Sequence, residues 1–371
     1  MTQHIIYYSN KNKVMQTLKL ILLPFIILHY NESYCQLVNC LYTIDYYDKY
    51  GSIDQNGKIV FSPKFDFISE EPDSEGCYIF NENGKNHGYI DNNYRVHYLK
   101  YLIESFNEGF AAFEENNNYG FIDKKGVVVI KPKFKIRYYE NTAIDIAYDF
   151  PPPFFSEGLC AIALSFSEEK KELLYGYINK NGKIVLKPKW LYVSPFKEGL
   201  AIVIDIQGNR YYINKLGTII LNLKSDEIGS CFYQNRAAIC SDNDEVKKCY
   251  FIDKTGMQTS TIFDDAGDFH EGLAKVKKDG KWGFISDDGK YIISPVFLDV
   301  SDFSEGLASA TVLDADSIIK TGIINTQGTL ILSPEKDVRY GQFRCGIVSK
   351  YGSDGYIKAY VDQNDKIIWS K

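Results

Sequence analysis

The stretch GKWGFISDDGKYIISPVFLDVSDFSEGLA, Gly280 to Ala308, constrains the fold more than any other feature, because most of the chain consists of worn copies of it. Laid along the sequence it gives nine units, whose central segments open at Tyr50, His87, Tyr119, Tyr175, Arg210, Cys249, Trp282, Thr321 and Lys358. Their spacing is 32 to 39 residues, apart from a gap of 56 between Tyr119 and Tyr175. A fixed period of this size marks a repeat architecture, in which one small module cannot bury its apolar face alone. Internal repetition therefore overrides the two or three domains that 371 residues would otherwise suggest.

Each unit reads as a three-stranded meander. Leu273 to Val276 alternates as a strand should, and Asp279-Gly280 marks a tight hairpin. Trp282 to Ile285 forms the second strand, and Ser286-Asp287-Asp288-Gly289 a four-residue turn. Tyr291 to Ile293 forms the third, which Pro295 ends because proline cannot donate to a ladder. Trp282 and Phe284 point one way and Gly283 and Ile285 the other, with no charge on either face. A strand apolar on both faces needs cover on both, so neighbouring units are expected to lie face to face. The glycine is expected to let a ring of the next sheet come close. Stacked this way the units form an open superhelix or a propeller-like ring. The chain begins and ends on unit boundaries, at Leu41 and Trp369, which favours the open array.

The units resemble the WG (or KWG) β-repeat family of bacterial proteins, whose module runs W-G-[FY]-I-[DN]-x-x-G, a short apolar run, P-x-[FY] and F-x-E-G-L-A. Only the seventh unit keeps a literal Trp-Gly, and the resemblance covers about residues 40 to 370. It implies an all-β tandem array. It implies no common activity, cofactor or substrate, and so supplies no catalytic, cofactor-binding or metal-ligating residues.

The first 35 residues differ from the rest. Lys11, Lys13 and Lys19 precede or interrupt the apolar run Leu18 to Leu28, and a short polar stretch follows. This pattern describes a secretory signal peptide over 1–35, cleaved after Cys35, with Met15 an alternative start. A membrane anchor is the competing reading, but a span needs about 20 apolar residues and Pro24 sits mid-run. The array then covers 36–371, with an insertion at 135–154 that contains Pro151, Pro152 and Pro153. Export would place it in an oxidising compartment, secreted, periplasmic or at the cell surface. Cys40, Cys77, Cys160, Cys231, Cys240, Cys249 and Cys345 would remain, an odd, scattered set unlike a disulfide framework. Cys77 and Cys160 read as small buried hydrophobes. The nine-residue intervals between Cys231, Cys240 and Cys249 read as coincidence, or else as one disulfide.

A net charge of −6 argues against a nucleic-acid partner. Glu75, Glu108, Glu157, Glu198, Glu271 and Glu305 recur in F-x-E-G and could line a cation-binding edge. A catalytic group is needed once and a joint in every unit, so acceptance of backbone N–H groups between units is the favoured reading. The turn aspartates suit turn chemistry better than calcium, for the paired glycines of a nonapeptide calcium repeat are absent. There is no G-x-S-x-G, H-E-x-x-H, G-x-G-x-x-G or C-x-x-C. His87 stands in an aromatic slot, His97 lies in the body and His270 beside Glu271, which is too little for an enzyme. Tyr46, Tyr47, Tyr138, Tyr139 and Tyr148 fall outside the motif and could form a stacking surface. The expectation is an exported, non-catalytic binding or scaffolding module for a protein partner, without cofactor. A carbohydrate-binding protein of the cell envelope, or an enzyme with its site on the 135–154 insertion, are the rivals.

Overall fold

A computed structural model describes residues 39–135, 152–167, 172–241 and 247–371. The expected signal segment at 1–35, Tyr138, Tyr139, Tyr148 and most of the insertion lie outside the described residues. Every described element is a β-strand in an antiparallel pairing. Among the described residues no helix is long and apolar enough to cross a membrane.

In unit seven the strands Leu273–Lys278, Lys281–Ser286 and Tyr291–Phe297 form the expected meander. Its first turn carries Asp279 and Gly280 at φ 49° and 77°, the left-handed pair that a two-residue hairpin requires. Asp265–His270 adds a fourth strand ahead of the meander. Short counterparts precede units two, four, eight and nine at Phe67–Ile68, Phe155–Ser156, Asp299–Val300 and Val338–Tyr340. Units four and five merge into one seven-stranded sheet because Ile184–Val193 runs on from one to the next, pairing Leu186 with Tyr177 and Val193 with Val203.

Gly283, Phe284 and Ile285 are all buried, as a strand covered on both faces must be. The glycine has a different cause from the one expected. A Cβ on Gly283 would lie 2.5 Å from the Ile293 carbonyl oxygen and 2.7 Å from the Pro295 nitrogen. Both belong to the third strand of the same sheet, whose register slips between Trp282–Phe297 and Phe284–Ile293 pairings. Gly51 and Gly322 meet the equivalent carbonyls of Phe61 and Leu332 at 2.5 and 2.6 Å. The strand bulges at its proline and folds its own backbone across the glycine, so the residue accommodates a bulge and not a neighbouring ring.

The apolar core is divided among the boundaries between units. Phe284, Ile293 and Phe297 of unit seven pack with Val300, Phe303 and Ala308 of unit eight, and each consecutive pair from one to nine has such a cluster. One further cluster joins Ile347 and Tyr360 of unit nine to Cys40, Tyr42, Ile44 and Ile53 of unit one. The nine units therefore close into a propeller-like ring, correcting the preference for an open array. Units one and nine are as apolar as the internal ones, and a terminal repeat without a polar outer face is sheltered only by closure.

Candidate functional site

The repeated glutamates sit at the joints of this ring. In unit three Asn107 and Phe110 exchange backbone hydrogen bonds of 2.8 and 3.1 Å, so Glu108-Gly109 is a two-residue hairpin turn. Glu108 and Gly109 both have positive φ, 51° and 88°. Glu157, Glu198, Glu271 and Glu305 repeat this conformation at φ 49° to 54°. A left-handed backbone costs a non-glycine residue about 1–2 kcal/mol. Contacts with the following unit offset that cost. Glu108 accepts the Gly158 N–H at 2.9 Å and Glu157 the Gly199 N–H at 3.0 Å. Glu198 accepts from Asn235 at 2.9 Å, and Glu75 accepts from Gly109. Glu271 takes the N–H groups of Glu305 and Gly306 at 2.7 and 2.8 Å, and Glu305 those of Cys345 and Gly346 at 2.6 and 2.7 Å. Lysines of the following unit complete four of these joints: Lys124, Lys180, Lys215 and Lys254 lie 2.6 to 3.2 Å from Glu75, Glu108, Glu157 and Glu198. At Glu198 burial pushes the carboxyl upward, but Lys254 and the Asn235 amide outweigh it and hold the group below its usual range. The six carboxylates bind neighbouring backbone, so they do not form a free cation-binding edge.

Glu271→Ala removes two acceptors while leaving both amides in place. Its expected cost is about 2 kcal/mol, with Glu271→Gln losing less, measured by urea unfolding.

The remaining joints use the same two slots with other chemistry. Gln234 stands in the glutamate slot of unit six and accepts the Gly272 N–H at 3.0 Å. Asn39, in that slot of unit one, donates to the Asn92 carbonyl at 3.1 Å. At closure the link is covalent. Tyr42 pairs with Ile53 as Ala274 pairs with Ile285, which puts Cys40 in the glycine slot of unit one. Cys345 follows Phe343 and Arg344 and precedes Gly346, and so fills the glutamate slot of unit nine. The two form a disulfide across 305 residues of sequence. A second disulfide joins Cys240 and Cys249, which face each other across a hairpin. The cysteines are thus not an unpaired scatter, and the interval from 240 to 249 is a hairpin's length, not chance. Cys77 and Cys160 are free and buried as expected, and burial pushes the Cys77 thiol up to about 12. Cys231 is free as well.

Further contacts lock this seam. Arg344 donates to the Leu41 carbonyl at 2.7 Å and to the Glu70 carbonyl at 3.1 Å, with its guanidinium over the rings of Tyr42 and Tyr78. Tyr42 donates to the Arg344 carbonyl, and the buried Tyr360 hydroxyl reaches the Thr43 carbonyl at 2.7 Å. Lys371 pairs with Asp45 at 2.6 Å.

At the second joint Asp73 replaces the motif phenylalanine. Its carboxylate accepts the amides of Glu75, Cys77 and Phe106 at 2.8 to 2.9 Å. Burial nevertheless pushes it up to about 6, and the nearby charge of Glu75 adds to this. A carboxyl raised in the folded state contributes stability below its unfolded value, near 4, that is lost as pH rises through 6. Between pH 4 and 7 the wild type is therefore expected to lose about 2 kcal/mol relative to Asp73→Asn, read from urea midpoints at each pH.

Other candidates serve structure. Asp54 accepts the amides of Asn56 and Lys58 at 2.9 and 3.0 Å, and Asp123, Asn179 and Asn325 repeat this pattern in their turns. His97 stacks on Tyr89 and meets Asp91 at 2.9 Å. His270 is buried 6.0 Å from the Tyr233 ring, and His87 is half-buried in the strand Asn86–Ile90. Tyr46 and Tyr47 are exposed, with their rings edge to face.

This arrangement defines a class: an all-β repeat protein whose units are tied through one recurrent turn. Residues 50–85, 119–135, 175–205, 212–243, 251–282 and 282–312 match the model of the WG containing repeat, and the chain belongs to the WG repeat family. No match was found among curated proteins. Among solved structures it is similar to BamB from Moraxella catarrhalis, at 10% identity and a TM-score of 0.42 over 78% of this chain and 94% of that one. It is also similar to KlHsv2 with loop 6CD replaced by a Gly-Ser linker, at 11% identity and a TM-score of 0.41 over 70% of this chain and 94% of that one. Both likenesses are loose, and the ring is read from this chain's own contacts.

Proposed function

We propose that the protein is an exported, non-catalytic binding or scaffolding module that presents a rigid ring to a protein partner. The observation that carries this reading is the use of the repeated ionisable side chains in joints, with one disulfide across the closing seam and a second bracing a hairpin. Disulfides persist in oxidising compartments, which supports export beyond the cytosol. Such a ring resists distortion and offers a large surface at little conformational cost on binding.

The test is expression of the full chain with a C-terminal tag, followed by cell fractionation, N-terminal sequencing and thiol trapping. The reading expects a chain beginning at Gln36, outside the cytosol, with Cys40, Cys240, Cys249 and Cys345 protected, and a stoichiometric partner on cross-linking there. A cytosolic chain with all thiols free contradicts it. The exposed Tyr46–Tyr47 pair favours a carbohydrate-binding second reading. A glycan array answers that question: binding lost in Tyr47→Ala supports it, and no glycan retained removes it.

A further inference from the structure

Residues 124–135 and 180–190 hold nine lysines and no aspartate or glutamate, in a chain whose net charge is −6. Both stretches run into the last strand of a unit's meander. Val128–Lys135 ends its sheet among the described residues, and Ile184–Val193 pairs with unit five only from Trp190 onward. The two edges are neighbours, because Lys133 donates to the Gly182 carbonyl at 3.3 Å. Glu75 and Glu108 hold Lys124 and Lys180. The other seven lysines are exposed and, among the described residues, in no ion pair. In other units the same edge is neutralised: Lys64 pairs with Glu82, Lys290 with Asp288 and Lys371 with Asp45. Lysine and proline commonly protect a strand edge from pairing. Pro132 and Pro188 fit that role, but so do Pro63, Pro295 and Pro334 in units without the surplus, so protection does not account for it.

Charge calls for an acidic partner, and spacing narrows it. Lys131, Lys133 and Lys135 stand at every second residue, as do Lys187 and Lys189. Along a strand that interval is about 7 Å, the repeat of an extended polypeptide with a carboxylate at every second residue. Val127 and Val129 precede the first row and Ile184 and Val185 the second, so both edges pass from aliphatic to basic in the same direction. These four aliphatics are 42 to 55% exposed, open to a chain lying along the edge. They sit in or beside strands, whereas entry of about 5–10 Å into a bilayer needs residues that project. The stretches contain no arginine, and Phe134 and Trp190 are buried, which leaves no platform for nucleic-acid bases. The two prolines lack an N–H, so the contact is made by side chains and not by an added strand.

We propose that the outer edges of units three and four dock an extended acidic segment of a protein partner, aliphatic at one end and carboxylate-bearing along the rest. The proposal deepens the binding-module reading and rests on it. Its test uses the oxidised full chain and fluorescence anisotropy of a labelled peptide, Val-Ser-Val-Ser-Glu-Ser-Glu-Ser-Glu. The competitors are its glutamine counterpart, a single-stranded oligonucleotide, heparin, and vesicles of equimolar phosphatidylcholine and phosphatidylglycerol. The acidic peptide is expected to bind in the micromolar range. Raising salt from about 0.01 M to about 0.15 M shortens the screening length from about 30 to about 8 Å and should weaken it at least tenfold. Lys131→Glu with Lys187→Glu should weaken it at least tenfold as well. Lys58→Glu with Lys366→Glu, the same change of charge on the edges of units one and nine, should leave it within twofold. Val129→Ser with Val185→Ser should cost severalfold at unchanged salt dependence. If thermal melting shows the first pair unfolded, Lys125→Glu with Lys183→Glu takes its place. Equal binding of the glutamine peptide, equal losses in the two lysine pairs, or no binding overturns the proposal. Tighter binding of the oligonucleotide, heparin or vesicles than of the peptide overturns it too, because the surface would then serve another polyanion. None of these outcomes alters the export and cross-linking result, so the two readings fail separately.

Discussion

Replacing Cys40 and Cys345 with serine is expected to lower the unfolding free energy of the oxidised protein by up to roughly 5 kcal/mol, the chain-entropy value for so long a closed loop. The bond joins residues 305 apart, so it restricts the unfolded chain more than any link within a unit could. Cys240 and Cys249 are only nine apart, and the corresponding double serine variant should lose clearly less. Register adds a second arm to the experiment. Cys345 stands in the glutamate slot and Cys40 in the glycine slot, so Cys345→Glu with Cys40→Gly restores the joint that other units use. This pair should recover about 1–2 kcal/mol over the double serine variant, the worth of a charge-assisted hydrogen bond. Urea midpoints of all three variants, with and without a dithiol reductant, give the comparison. No recovery would mean that the slots at the seam are not equivalent to those elsewhere.

Gly283→Ala is expected to cost about 2–3 kcal/mol, the penalty of overpacking a buried site. The added methyl meets two backbone atoms at 2.5 and 2.7 Å, and backbone cannot rotate aside as a side chain can. Gly208→Ala is the control. It lies at φ 89° with nothing within 4 Å of the added carbon, so it carries only the dihedral penalty, about 1 kcal/mol. If the two variants lose the same stability, the glycine beside the aromatic has no steric role, and the bulge is not what it serves.

Local chemistry was legible in the chain itself. Asp279-Gly280, the Asx turns at Asp54 and Asp123, and the doubly apolar segment Gly283 to Ile285 all follow from short-range rules, and the structure keeps them. The glutamates could be assigned to joints because a residue needed in every unit points to assembly. Other features depend on geometry that residue patterns do not encode. A two-residue strand such as Asp299–Val300 has no period to detect. The rotation from one unit to the next arises from strand twist, so closure and the Cys40–Cys345 pair were hidden together. The left-handed φ at Glu108 breaks a local preference that only the next unit's amides offset. The glycine was placed correctly and explained wrongly, because the bulge at Pro295 is set by pairing register.

The direct test of ring closure is the distance between units one and nine when no covalent bond holds them. Spin labels replace the exposed Gln55 and Ser370 in the Cys40→Ser/Cys345→Ser variant. Gln55 lies in the turn whose Gly57 sits against the Ile368 carbonyl, two residues before Ser370. Electron–electron dipolar spectroscopy is expected to give one short, narrow distance distribution, equal to that of the same labels in the disulfide-bonded protein. A long or broad distribution in the serine variant would contradict closure by packing and reduce the ring to an open array tethered at its ends.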